Sequence, residues 1–182
     1  MSGFRDRMGL GRCCCVCTDC CNGDYPPEYV VDFTFSNNDC INCADYSGTY
    51  TLSKLATCNW TYDSGLTLSD ACDPPYGEQI KRLAILLQIR CVNATQYGIT
   101  LYWDLYRNAA NCTGLYDVTS HIWTHRVNVA DFACSSVINH EIPFGFTFTY
   151  GWQYNVVLGR CVPYTPTAFC NPPANALITA VP

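Results

Sequence analysis

Fifteen of the 182 residues are cysteine, about one in twelve, and six of them crowd into Cys13–Cys21 as CCCVCTDCC. Thiols at that density belong to cross-linked chains in oxidising surroundings rather than to reduced cytosolic enzymes. The chain nevertheless opens Met1-Ser-Gly-Phe-Arg-Asp-Arg-Met-Gly-Leu, without an apolar run of signal-peptide length. A protein made in a cytoplasm and used outside a cell reconciles these two observations. The odd count leaves at least one cysteine for a metal, another chain or a free thiol.

The remaining composition narrows the function classes. Charged residues make up 14% of the chain, lysine occurs only at Lys54 and Lys81, and the net charge is −5. No general electrostatic footprint for nucleic acid exists in such a chain, and Arg5, Arg7 and Arg12 beside Asp6 are too few to make one. The longest apolar run, Leu83–Leu87, is strand-sized and far short of the roughly 18 residues of a membrane span. Nucleic acid and membrane are therefore not expected partners.

Hydrophobic alternation with period two dominates the chain after the Asn22-Gly23-Asp24 and Pro26-Pro27 punctuation. Tyr29, Val31, Phe33 and Phe35 share one face of a strand. Short strands follow at Thr49–Leu55 and Cys58–Tyr62. Gln79–Val92 reads as a long strand burying Lys81, Leu83, Ile85, Leu87, Ile89 and Cys91, with Tyr97–Arg107 as its hairpin partner. His121–Cys134, Phe144–Tyr150, Gln153–Leu158 and Ala176–Val181 bring the total to roughly eight to ten strands. Helix signals are missing, and the aromatic and β-branched content opposes them. The expected architecture is all-β: an antiparallel β-sandwich, jelly-roll or Ig-like, over residues 24–182. It is stapled by disulfides and preceded by an irregular cysteine-rich arm over residues 1–23.

Nine cysteines lie outside the arm: Cys40, Cys43, Cys58, Cys72, Cys91, Cys112, Cys134, Cys161 and Cys170. Loops between expected strands suggest the bridges Cys58–Cys72, Cys112–Cys134 and Cys161–Cys170, each contributing about 2–4 kcal/mol. In the arm, Cys14-x-x-Cys17-x-x-Cys20 with Cys21, and Cys40-x-x-Cys43 folded against it, supply enough thiolates for one structural zinc. Disulfides within or between chains are the competing reading, with no cofactor at all. Cys13-x3-Cys17-x2-Cys20 also has the spacing of a radical-enzyme iron–sulfur triad, but the α/β barrel of such enzymes is absent.

Other candidate chemistry is sparse. His121 and His125 would share one strand face about 13 Å apart, too far for one metal, and are expected as partly exposed side chains flanking Trp123. His140-Glu141 reads as a polar loop. Asp63, Asp70, Asp73 and Glu78 fall in one loop without a calcium-loop signature. No Gly-x-Ser-x-Gly, phosphate loop or paired catalytic carboxylates occur, so an enzyme is not expected. Asn59-Trp-Thr61, Asn93-Ala-Thr95 and Asn111-Cys-Thr113 fit the glycosylation pattern, but without a signal peptide they would not meet the machinery.

Cys40-Ile-Asn-Cys43-Ala-Asp-Tyr-Ser-Gly-Thr-Tyr, Cys58-Asn-Trp60, Cys72 and the closing Cys170-Asn-Pro-Pro strand carry a resemblance. From about Val30 to Val181 the chain resembles cysteine-rich β domains of uncharacterised tailed-bacteriophage structural proteins and some environmental bacterial proteins. The resemblance supplies no catalytic residues and does not extend to CCCVCTDCC. It implies a virion component made in the host cytoplasm: a capsid decoration (cement) protein or a tail component. Its partners would be major capsid or tail subunits and further copies of itself, and its mechanism inter-subunit packing. The alternative function is a surface adhesin or receptor-binding module that holds glycans on exposed Trp and Tyr.

Overall fold

The computed structural model describes residues 26–35, 46–65, 80–93, 95–109, 111–112, 114–128, 140–166, 168, 173 and 175–181. They form β1 (Glu28–Phe33), β2 (Gly48–Ala56), β3 (Asn59–Asp63), β4 (Ile80–Asn93), β5 (Gln96–Asn108), β6 (Tyr116–Asn128), β7 (His140–Asn155), β8 (Arg160–Tyr164) and β9 (Asn175–Val181). The expected arm over residues 1–23 lies outside the described residues.

Alternation decides which side of each strand is buried. Tyr29, Val31 and Phe33 of β1 point inward, as do Leu83, Ile85, Leu87 and Ile89 of β4. Register then carries this layer across the sheet, with Ile85 opposite Trp103, Leu87 opposite Leu101 and Leu101 opposite Trp123. Leu52, Trp60, Ile142, Ala176, Ile178 and Ala180 complete the core from β2, β3, β7 and β9. Trp60, Trp103 and Trp123 are fully enclosed. Burying a large apolar side chain stabilises the fold by about 1.5–3 kcal/mol, so this aromatic layer dominates its energetics. Tyr29 meets Trp60 edge-on at 4.7 Å, while Phe35 lies 4.7 Å from Trp103. Trp60 Nε1–H donates to the Pro26 carbonyl at 2.9 Å, which ties the start of the domain to its core.

All pairings are antiparallel and run through one sheet in the order β6-β5-β4-β3-β2-β1-β9-β7-β8, with β6 pairing also to β7. Since β7 sits near one end of that order and β6 at the other, the ladder closes on itself and leaves β8 outside the circuit. One strand achieves the closure by changing partners. Residues His140–Pro143 of β7 pair with β9, whereas Phe144–Tyr150 pair with β6. Pro143 has no N–H to extend the first ladder, and the register with β6 shifts between Ile122 and Trp123. Gly145 lies at that shift, where a Cβ would stand 2.8 Å from the Ile122 carbonyl oxygen.

The all-β antiparallel class is therefore what the sequence implied. A jelly-roll or Ig-like division into two sheets does not follow from the pairings, which are continuous. The expected strands at Phe144–Tyr150 and Gln153–Leu158 are one strand ending at Asn155, and residues 156–159 are a turn. The strand Arg160–Tyr164 was not expected.

Candidate functional site

Strand alternation buries one face of β5, β6 and β7; on the other face the β7 side chains are exposed, while Val118 and Ser120 of β6 are covered. Tyr102, Asp104 and Tyr106 lie opposite Ile122, Ser120 and Val118, and these lie opposite Phe146, Phe148 and Tyr150. Phe146 and Phe148 are each 52% exposed, and Tyr150 and Tyr116 are exposed beside them. Phe148 and Tyr150 lie 5.8 Å apart, and Tyr116 meets Tyr106 edge-on at 6.4 Å. Alternate positions of a solvent-facing strand are ordinarily polar, so a row of rings on β7 is an apolar strip left in water.

Polar groups frame this strip. Asp104 accepts a hydrogen bond from Ser120 Oγ, yet burial pushes its carboxyl above the usual range, with that bond opposing. Arg82 lies 5.5 Å over the Tyr106 ring and donates from Nε to Asp63 at 2.8 Å. That bond holds the Asp63 carboxyl below its ordinary value, partly offset by desolvation.

Beyond Tyr150 the same strand leaves β6 and pairs with β8 as a hairpin, Gly151–Asn155 against Arg160–Tyr164. Asn155 Oδ1 accepts from the N–H groups of Val157 and Leu158 at 3.0 and 2.9 Å, and Gly159 takes a φ of +61°. An Asx turn closed by glycine therefore shapes the tip. Its residues Val156, Val157 and Leu158 are 83%, 89% and 56% exposed, with Arg160 next to them.

Two devices brace the hairpin. At its base the buried Asp117 accepts from Trp152 N–H at 3.0 Å and from Tyr164 O–H at 3.0 Å, with Arg107 Nη2 3.6 Å away. The approach requires glycine at 151, because a Cβ there would come within 2.2 Å of Asp117 Oδ1. Along its side, a disulfide joins Cys161 of β8 to Cys112 in the loop between β5 and β6, across a sequence separation of 49. Three apolar side chains are thus held in solvent on a rigid support.

The structure redraws the sequence-derived sites. Cys112–Cys161 replaces both Cys112–Cys134 and Cys161–Cys170, and Cys134 and Cys170 lie outside the described residues. Cys58 is buried in the turn between β2 and β3 with a φ of 60°, and its expected partner Cys72 lies outside the described residues. The zinc candidates Cys14, Cys17, Cys20, Cys21, Cys40 and Cys43 also lie outside them. Among the described residues no cluster of three or more His, Cys, Asp or Glu side chains is placed to hold a metal.

His121 is fully buried rather than partly exposed: its ring stacks on Trp103 at 5.2 Å and its Nδ1 lies 3.0 Å from Thr147 Oγ1. Asp63 is engaged by Arg82, and Glu141 accepts from Asn175 Nδ2 at 3.1 Å. Sequence reasoning missed Asp117 and Tyr164, which lie 47 residues apart and meet only in the fold. No helix of the described residues is long and apolar enough to cross a membrane. In comparisons with protein families, characterised proteins and solved structures, nothing matches this chain.

Proposed function

We propose that the chain is a non-enzymatic structural protein that works by docking, as a capsid decoration (cement) protein or tail component of a tailed-phage virion. The observation that carries the docking part is the apolar outer surface: the ring row Phe146, Phe148 and Tyr150, continued along β7 into a braced hairpin with Val156, Val157 and Leu158 at its tip. Exposed apolar area in water favours association by roughly 25 cal/mol per Å² covered, and rigid presentation lowers the ordering cost of binding. The braces contribute to that rigidity, and the Cys112–Cys161 bridge suits a chain folded in a cytoplasm and oxidised after release. In this reading residues 1–23 reach to a neighbouring subunit, and the cysteines outside the described residues add further staples or one zinc.

A glycan-binding adhesin is the second reading, supported by the exposed Phe and Tyr rings and not by the expected tryptophans, of which Trp60, Trp103 and Trp123 are enclosed: an aromatic face stacks on a sugar ring while Tyr150 and Tyr154 keep hydroxyls at the surface. Antibody raised against the purified chain separates the two. Labelling of intact particles released by lysis, with no binding of the isolated chain to glycans, is the result expected. Particles free of the chain, with saturable glycan binding by the isolated protein, would overturn the virion reading.

A further inference from the structure

On the far half of the β4–β5–β6 surface, away from the ring row, two arginines face each other across a glycine. Arg90 of β4 is in register with Gly98 of β5, and Gly98 is in register with Arg126 of β6. Adjacent strands stand about 4.8 Å apart, so the two arginine Cα atoms are about 10 Å from one another. Any side chain at 98 would occupy the space between them. Glycine leaves it open, and Arg90 leans into it: its Nε lies 3.5 Å from where a Cβ on Gly98 would stand, and Val92 Cγ2 lies 3.0 Å from that point.

The result is a groove of about 320 Å³, floored by Gly98 and walled by Arg90 and Arg126, with Val92, Thr100 and Thr124 around them. Among the described residues no carboxylate lines it, and neither arginine has an acidic partner. Arg82 and Arg107, by contrast, are each paired with an aspartate. In a chain of net charge −5, two unneutralised guanidinium groups brought to one groove repel each other, and an anion between them reverses the sign of that interaction. Guanidinium groups offer forked N–H donors matched to the oxygens of a tetrahedral oxyanion, and the paired Thr100 and Thr124 supply hydroxyl donors one step along the strands.

We infer that the Gly98 groove is an anion-binding site for a tetrahedral oxyanion, a sulfate or phosphate group, carried free or as an ester on a glycan. It lies on a different part of the surface from the proposed docking strip, and it holds whether or not the chain is a virion protein. The size of the groove admits one such group with part of the sugar that bears it.

Amide chemical shifts of the full-length protein, titrated with sodium sulfate and with sodium phosphate against sodium chloride at matched ionic strength, provide the test. Saturable shifts confined to residues 90–92, 98–100 and 124–126 are expected, absent with chloride. Arg90→Gln and Arg126→Gln should each weaken sulfate binding about tenfold or more while leaving the remaining spectrum in place. Gly98→Ala removes no charge but narrows the groove, and should weaken binding as well. Competition by a sulfated oligosaccharide or by a phosphorylated one identifies the source of the group. Shifts that follow ionic strength alone, or unchanged sulfate binding in both arginine variants, would overturn the inference.

Discussion

Tyr50 and Asp117 show how single polar groups are handled once the core has closed over them. The Tyr50 hydroxyl donates to the Tyr46 carbonyl at 2.7 Å, and burial, with a smaller effect from Tyr62, pushes its pKa up from 10.0 to about 12. An acid whose folded value lies above its unfolded one stabilises the fold fully below the unfolded value and loses that contribution as pH rises through the folded one. Stability should therefore hold up to about pH 10 and fall between pH 10 and 12. Chemical denaturation across that window checks it, and Tyr50→Phe should flatten part of the alkaline slope at a cost of about 1 kcal/mol for the lost bond. Asp117 is the larger effect. Its removal takes this acceptor from Trp152 N–H and Tyr164 O–H in a part-buried place, so Asp117→Ala should cost about 2–4 kcal/mol and Tyr164→Phe about 1–2 kcal/mol in urea unfolding. None of this was legible in the sequence, where Tyr116-Asp117-Val118 shows only a polar residue between two apolar ones. Inward-facing positions such as Leu83, Ile85, Leu87 and Ile89 were legible, because alternation is a local signal and partner identity is not.

At the scale of elements, the hairpin of β7 and β8 is where sequence and structure part most clearly. Val156-Val157-Leu158 has the composition of a strand, but Asn155 bonds to the backbone ahead of it and Gly159 supplies the left-handed φ, so it is a turn. Pro163 has no N–H to give a ladder, yet among the described residues β8 pairs only with β7, and an edge strand tolerates proline. Disulfide partners were equally hidden: loop-closure entropy changes slowly with length, so proximity in sequence favours a short bridge only weakly over Cys112–Cys161. Reduction of that bridge, or Cys112→Ser with Cys161→Ser, should lower stability by about 2–4 kcal/mol by the chain-entropy account, read as a lower melting temperature. Serine at 156, 157 and 158 together should change stability by no more than about 0.5 kcal/mol per site, because these side chains already face water.

For the whole molecule, closure of the sheet depends on β7 exchanging β9 for β6 at Pro143–Gly145. β6 precedes β7 directly in sequence whereas β9 does not adjoin it, and alternation cannot name a strand's neighbours, so the strands themselves were legible and their circuit was not. Gly145→Val should cost about 1–3 kcal/mol by forcing the Ile122 carbonyl away, read in the same urea experiment. The closed circuit also fixes what faces outward: inward positions hold the tryptophan core, which leaves Phe146, Phe148 and Tyr150 on the surface with no role in packing the interior. In the proposed role this surface docks the protein on a particle. Co-sedimentation of purified chain with particles that lack it, comparing wild type with a Phe146→Ser, Phe148→Ser double variant of unchanged melting temperature, tests that claim most directly. The account predicts saturable binding by wild type and a loss of about tenfold or more in the variant; equal binding by both proteins would contradict it.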